Sequence, residues 1–258
     1  MDPVATTAAA ARALIRAGRW TGLTETLAQH YVHLAPVTLP ADDALALLRF
    51  CVRNPQAGPV VEILGPGEWE SDLAPGGDIR TDVVRWQIWE GGEAAGETAD
   101  LRRFWRHDLV TVLLGTSHIL AGPLKDAGIP ADTVDNPRPA IYRTTLPSRP
   151  AGSLRGPQYV TVKFALPEEV AKIVRVTACY PAGHGAPIAI GDPAAIGVDG
   201  ELPGFGYPLA IPPGRVPLFW ACGFTVLEAL RAARLAWFAC HAPGCTFIVD
   251  LPPERLAI

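Results

Sequence analysis

The stretch PLFWACGFTVLEALRAARLAWFACHAPG, residues 217–244, decides the fold class. Pro217 to Cys222 is an apolar run of strand length closed by Gly223, and Ala236 to Cys240 is a second one closed by His241-Ala242-Pro243-Gly244. Between them Thr225, with Glu228 three residues on, has the form of a capping box and opens a helix to about Arg234. Strand, helix and strand in that order make a right-handed crossover when the strands are parallel neighbours. Cys222 and His241 are then expected at carboxyl ends of parallel strands, the edge where open α/β sheets bind ligands. The short strand Ile188 to Ile190, running into Gly191-Asp192-Pro193, brings Asp192 to a strand end in the same manner.

Outward from this unit, helices alternate with short apolar runs. Residues 5–17 read as a helix stopped by Gly18. A second helix opens at Asp42-Asp43, carries Leu45, Leu48 and Cys51, and ends before Asn54-Pro55, because the residue ahead of proline is pushed out of helical geometry. Val60 to Leu64 and Val83 to Trp89 are strands. Residues 65–82, rich in Gly, Pro and Asp, form a long loop of the kind that is functional or mobile. His107 to Leu120 reads as a helix with Asp108 in its first turn. From Pro137 to Pro157 recurrent prolines dictate ordered loop and short strand. Tyr159 to Leu166 alternates as a strand, and Pro167-Glu168-Glu169 opens the next helix. The class expected is α/β.

Composition narrows the function. A chain of 258 residues with 49% hydrophobic and 19% charged residues buries a full core without disulfide or metal staples. With 22 basic against 26 acidic residues, a net charge of −4 and no basic stripe, nucleic-acid binding is disfavoured. No apolar run approaches the ~20 residues that span a bilayer. Arg12, Arg16 and Arg19 break the alanine-rich start before a signal-peptide core can form. Five cysteines at scattered spacings fit a reducing compartment. The expectation is a cytoplasmic protein with no nucleic-acid or membrane partner, and a homodimer as the commonest closed assembly.

The polar residues admit two readings each. His241, between an apolar strand and a Pro-Gly turn, is a general acid–base candidate or a turn cap. Asp192 before Pro193 is a catalytic carboxylate or a helix N-cap. Cys222, near a helix start, is a stabilised thiolate or a core residue. His184, in Pro181-Ala-Gly-His-Gly-Ala-Pro187, lies where flanking glycines admit a ligand close to the backbone, or is a plain loop histidine. Arg143 and Arg149 stand in a proline-stiffened stretch and suit a carboxylate; Arg80 and Asp82 do likewise, or pair with each other to pin the long loop. Cys222, Cys240, His241 and Cys245 invite a zinc reading. Cys240 and His241 point to opposite faces of a strand and no Cys-x-x-Cys knuckle is present, so no metal is expected. No Walker loop, Gly-x-Gly-x-x-Gly or Gly-x-Ser-x-Gly occurs.

Several stretches together resemble the D-glutamate cyclase family, also labelled hydro-lyases. They include Phe50-Cys-Val-Arg-Asn-Pro55, Leu73-Ala-Pro-Gly-Gly-Asp-Ile-Arg-Thr-Asp82, Tyr142-Arg-Thr144 before Arg149-Pro-Ala-Gly152, and Arg155-Gly-Pro157. His184-Gly-Ala-Pro187, Ile190-Gly-Asp-Pro-Ala-Ala-Ile-Gly197, Phe219-Trp-Ala-Cys-Gly223 and His241-Ala-Pro-Gly244 carry the likeness furthest. The resemblance implies a two-lobed α/β fold, a three-layer α/β/α sandwich with a smaller two-layer lobe. We place the main lobe at 1–139 and 183–258 and the smaller one at 140–182. It further implies interconversion of D-glutamate with 5-oxo-D-proline and water, without a nucleotide cofactor.

The chain also departs from the family pattern. It has Tyr31-Val-His33-Leu-Ala35 where relatives carry Tyr-x-Gln-x-Asn, and Thr145 and Ser148 where asparagine and cysteine are usual. Ala189 replaces a histidine, and His118 takes an aromatic position. A retained scaffold with changed hydrogen-bonding side chains implies a specialised member, acting biosynthetically on a larger amino acid or carboxylic acid. On this reading His241 is the acid–base group, Asp192 orients it or carries the second proton, and His184 lies near. Arg143 and Arg149 clamp a substrate carboxylate, with Thr144, Arg80, Asp82, His33 and Cys222 lining the site. The rivals are a hydrolase or decarboxylase on the same scaffold, or a non-catalytic binder of a carboxylic acid.

Overall fold

Every strand pairing among the described residues is antiparallel. The computed structural model describes residues 5–130, 133, 140–198 and 206–258, so Pro137, where the proline-rich stretch was expected to begin, lies outside them. Seven strands form the first sheet: β1 (His33–Pro40), β2 (Val60–Leu64), β3 (Trp86–Glu90), β4 (Glu93–Thr98), β5 (Leu109–Gly115), β10 (Trp237–His241) and β11 (Phe247–Ile248). Their order is β2-β5-β1-β10-β3-β4, with β11 beside the start of β1. The second sheet has the order β6-β7-β9-β8, from β6 (Ile141–Pro147), β7 (Pro157–Ala165), β8 (Ala189–Ile190) and β9 (Val216–Ala221).

The α/β class holds, and its expected parallel unit does not. β9 and β10 lie in different sheets, and the helix between them, α5 (Phe224–Ala232), crosses from one to the other. A chain that changes sheet gives the same strand–helix–strand pattern as one that stays in a sheet. Thr225 is no cap either: it sits inside α5, and its hydroxyl accepts the Tyr159 N–H of β7 at 2.9 Å. Residues 107–120 are not a helix but β5 followed by a 3-10 turn, Ser117–Leu120. All of β5 is buried, and a strand covered on both faces reads as a continuous apolar run that a helical count also fits. The second sheet takes β8 and β9 from beyond residue 182, so it extends past the segment 140–182.

Local signals set most element ends. Thr7 caps α1 (Ala8–Arg16) by accepting the Ala10 N–H. Pro40, not Asp42, precedes α2 (Ala41–Arg53); the two aspartates occupy its first turn, where the helix dipole favours them, and Asn54 ends it. Two further helices are α3 (Ala121–Asp126) and α4 (Pro167–Ala178). Pro167 opens α4, and the Glu169 carboxylate accepts the Leu166 N–H at 2.9 Å. Leu47 and Phe50 of α2 and Val226 and Leu230 of α5 cover one face of the large sheet, against Val37, Val112 and Phe238. Ile79, Val83 and Leu101 cover its other face, over Leu34, Leu113 and Trp86.

The sheets meet where β5 ends. Gly115 packs so closely on the turn at Pro181–Gly183 that a Cβ there would run into the Ala182 carbonyl. Two residues further on, the Trp220 indole N–H of β9 donates to Gly185 O at 2.9 Å, within the buried core of the second sheet. One turn therefore touches both sheets. Replacing Gly115 with Ala forces backbone apart and should destabilise the protein by about 2 kcal/mol or more. Urea unfolding reads this as a lower midpoint at unchanged slope. An unshifted midpoint contradicts the close approach.

Candidate active site

Four histidines gather around this junction. β1 and β5 run antiparallel with Leu34 opposite Gly115, so the start of β1 and the end of β5 lie together. His33 opens β1, and His118 follows β5 in the 3-10 turn. Their rings stack with centroids 5.3 Å apart at 29°. The Thr116 hydroxyl ties the same two segments by donating to His33 O at 2.7 Å. His241 closes β10, the other neighbour of β1. His184 is held at φ +75° in the turn that packs on Gly115.

Hydrogen bonds fix the tautomers of two rings. His184 Nδ1 donates to Gln56 O at 2.6 Å, and the Gln56 amide returns bonds to His184 O and Ala186 O at 3.2 and 2.9 Å. His241 Nδ1 donates to Ala242 O at 2.9 Å. A carbonyl only accepts, so in both neutral rings Nδ1 carries the proton and Nε2 keeps its lone pair. Burial pushes His33, His184 and His241 down to about 4, against the small opposing effect of their carbonyl partners. His118 is lowered to about 3, first by burial and then by the positive charges of His33, Lys163 and His241. Neither ring nitrogen of His118 has a hydrogen bond to another described residue.

Lys163 enters from the second sheet. It pairs with Leu218 on β9, and strand alternation puts it on the face shared with Tyr159 four residues earlier and with Arg143 opposite Tyr159. The site thus combines neutral imidazoles with a cation whose field reaches His118. Such a set can accept protons and attract a carboxylate. The candidate residues drawn from sequence did not include His118 or Lys163. His118 was visible only as a departure from the family pattern, and nothing in a strand's alternation says which sheet Lys163 will face.

The other expected site residues distribute differently. Asp192 is exposed and its carboxylate accepts the Ala194 N–H at 2.9 Å, the N-cap reading; among the described residues no hydrogen bond or ion pair joins it to a histidine. Arg143 and Thr144 line an open hollow of about 350 Å³ with Thr145, Pro147, Gly156 and Pro157. The Thr144 hydroxyl is committed to Gln158 O at 2.8 Å. Arg149 exposes its side chain, while its backbone is clamped by the Asn54 amide through bonds of 2.7 and 2.9 Å. Cys222 stands after β9, where burial holds the thiol protonated, up to about 11. Among the described residues no group of three His, Cys, Asp or Glu could hold a metal ion.

Arg80 and Asp82 serve the loop rather than a ligand, and not by pairing with each other. Arg80 pairs with Asp78 at 2.8 Å and lies over the Trp69 ring at 4.3 Å. Asp82 is fully buried and takes a two-pronged contact from Arg16 of α1, at 2.7 and 2.5 Å. Glu62 of β2 adds bonds to Ser71 Oγ and Asp72 N at 2.5 and 2.8 Å. The 65–82 loop is therefore a pinned wall of the large sheet. His33 also departs from its expected role: Leu27 O and Thr246 Oγ1 take both its ring nitrogens, leaving none for a substrate.

Comparison with known proteins agrees over the length of the chain. Residues 110–250 match the family model described as D-glutamate cyclase. A protein of Corynebacterium urealyticum, provisionally named a hydro-lyase, is 41% identical over 247 residues, covering 94% of this chain and 93% of its own. One from Bordetella petrii with the same provisional naming is 38% identical over 259 residues, covering 99% and 98%. Among solved structures, a nitrogen repressor-like protein of Methanococcus jannaschii covers 90% of both chains at 12% identity and a TM-score of 0.41, a likeness too loose to bear on function.

The lowered histidines couple folding to pH. Each takes up a proton in the unfolded chain near 6.5 and in the folded protein only near 3 to 4. Stability is therefore full above about pH 6.5 and is lost as pH falls toward 4. The most buried pair, His33 and His184, each add a slope of up to about 1.4 kcal/mol per pH unit across that window. Urea midpoints should drop between pH 7.5 and 5, and less so in His184→Gln. A midpoint constant over that range contradicts the burial of neutral rings.

Proposed function

The chain belongs to the D-glutamate cyclase family, and from that premise we propose that it is a hydro-lyase acting on an amino acid with a second carboxylate, by analogy D-glutamate giving 5-oxo-D-proline and water. The observation that carries the reading is the placing of His118 and His241 at the end of the large sheet that the Pro181–Gly183 turn covers, with the charge of Lys163 from the second sheet felt at His118. In the cyclisation the α-amine attacks the side-chain carboxyl carbon. A carbon–nitrogen bond forms, a carbon–oxygen bond breaks, and two protons pass from nitrogen to the oxygen that leaves as water. A base must take a proton from the ammonium group, and the acid so formed must deliver it to the departing oxygen.

Imidazoles held neutral by burial keep a lone pair open for the first half of this cycle, and the negative charge of a bound carboxylate raises their affinity for the proton. His241 Nε2, with its lone pair exposed by the Nδ1 bond to Ala242 O, is the base we assign. Once protonated in a site that disfavours its charge, it is a strong acid for the second half. Lys163 supplies a positive charge for a substrate carboxylate and for the oxyanion of the tetrahedral intermediate. Arg143, on the same face of the second sheet, is assigned to a further carboxylate of the substrate or of a longer analogue. Asp192 is left as the cap of its 3-10 turn.

The test is turnover of D-glutamate and of 5-oxo-D-proline by the full chain, with His241→Gln alongside. The glutamine should fold with an unchanged urea midpoint at pH 7.5 and lower kcat roughly a hundredfold or more. A variant with near-parental kcat removes His241 from the mechanism. Release of carbon dioxide in place of loss of water would move the protein to the decarboxylase reading.

A further inference from the structure

A chain of buried hydroxyls ends on the ring beneath His118. Thr24, Thr246 and His33 are all buried. The Thr24 and Thr246 hydroxyl oxygens are 2.6 Å apart, and Thr246 Oγ1 is 2.9 Å from His33 Nδ1. His33 Nε2 is 3.1 Å from Leu27 O at one end, and Thr24 Oγ1 is 3.0 Å from Gly244 O at the other. Both terminal carbonyls can only accept. The neutral groups supply three protons, one from each hydroxyl and one from the imidazole, for four links.

One link goes without a proton, and Gly244 O can spare it because it already receives the Thr24 N–H, whereas Leu27 O has no other donor among the described residues. Nε2 then donates to Leu27 O, Nδ1 holds the lone pair and Thr246 donates to it. Thr246 then has no proton left, and the short contact with Thr24 needs the Thr24 proton. The link left unfilled is the one to Gly244 O, which already receives the Thr24 N–H at 2.8 Å. The Thr246 N–H also donates to Thr24 Oγ1 at 3.0 Å, holding that oxygen in place. His33 therefore has one tautomer and one ring plane. His118 has neither from hydrogen bonds among the described residues; its ring contact is the stack on His33.

We propose that His33 is a positioning residue: the Thr24–Thr246 hydroxyl chain locks its ring, and the locked ring orients His118 in the site. This rests on the reading that the junction of the sheets is where the hydro-lyase chemistry occurs. His33 touches no substrate in this account and exchanges no proton during turnover, because both its nitrogens are committed to protein.

The experiment follows the histidine ring signals of the ¹⁵N-histidine-labelled full chain, without substrate, in the parent and in Thr246→Val and Thr246→Ser, with His118→Gln and His33→Gln for assignment. The parent should show His33 with lone-pair Nδ1 and protonated Nε2. Thr246→Val should shift the signals of His33 and His118 together and lower kcat roughly tenfold or more, with KM within about twofold. Thr246→Ser, which keeps the hydroxyl, should restore both. If Thr246→Val fails to fold, Thr246→Ala removes the same donation with a smaller side chain and should give the same pattern. His118 signals unmoved in the valine variant overturn the proposal, as does an unchanged kcat with those signals displaced. If the parent turns over neither D-glutamate nor 5-oxo-D-proline, the hydro-lyase reading falls separately and the ring signals alone decide the positioning.

Discussion

The site depends on a missing Cβ. At Gly115 the end of β5 lies against the Ala182 carbonyl, and no other residue type leaves room for that approach. The contact brings the turn carrying His184 onto the end of the large sheet. The Trp220 bond to Gly185 then holds the second sheet against the same turn. Without this contact His33 and His118 would remain neighbours, since β1 and β5 pair along their whole length. Lys163 and His184 would not be brought to them. A steric requirement on one backbone atom thus becomes an electrostatic arrangement of several side chains.

That arrangement opposes folding and suits the proposed chemistry. Burying histidines costs stability as the pH falls through their ordinary range, because the folded protein declines protons that the unfolded chain accepts. The same burial keeps the rings neutral, with fixed lone pairs on His184 and His241. Apolar packing on both faces of the large sheet offsets the cost, and so does the wall formed by the 65–82 loop. There Arg12 and Arg16 of α1 converge on the buried Asp82 carboxylate and on Asp250. A residue set that looks like a ligand clamp in sequence is a rivet in the fold.

How much could be read in advance differs by scale. The α/β class, the first two helices, the Pro167 start and the strand at Tyr159 follow from caps, prolines and alternation, and the structure bears them out. The parallel pairing of the 217–241 unit could not be read, because local pattern does not record which sheet a strand joins. Residues 107–120 failed for a related reason: a strand buried on both faces has no alternation to show. Of the four histidines at the junction, His241 and His184 were candidates from a strand end and a glycine-flanked turn. His118 and Lys163 come near each other only because two sheets meet, and for Arg80 and Asp82 the loop-pinning alternative holds with partners other than each other, Asp78 and Arg16. The N-cap reading of Asp192 was available from its proline alone and is the one its hydrogen bond supports.

The central claim is that the junction of the sheets, and not the open hollow beside Arg143, holds the reacting atoms. A crystal structure of the protein soaked with 5-oxo-D-proline tests it most directly. The account predicts the lactam between the sheets, its ring nitrogen within hydrogen-bond reach of His241 Nε2 or His118 and its carboxylate toward Lys163. Density for the ligand only in the hollow lined by Arg143, Thr144 and Thr145, with the histidines untouched, would contradict it.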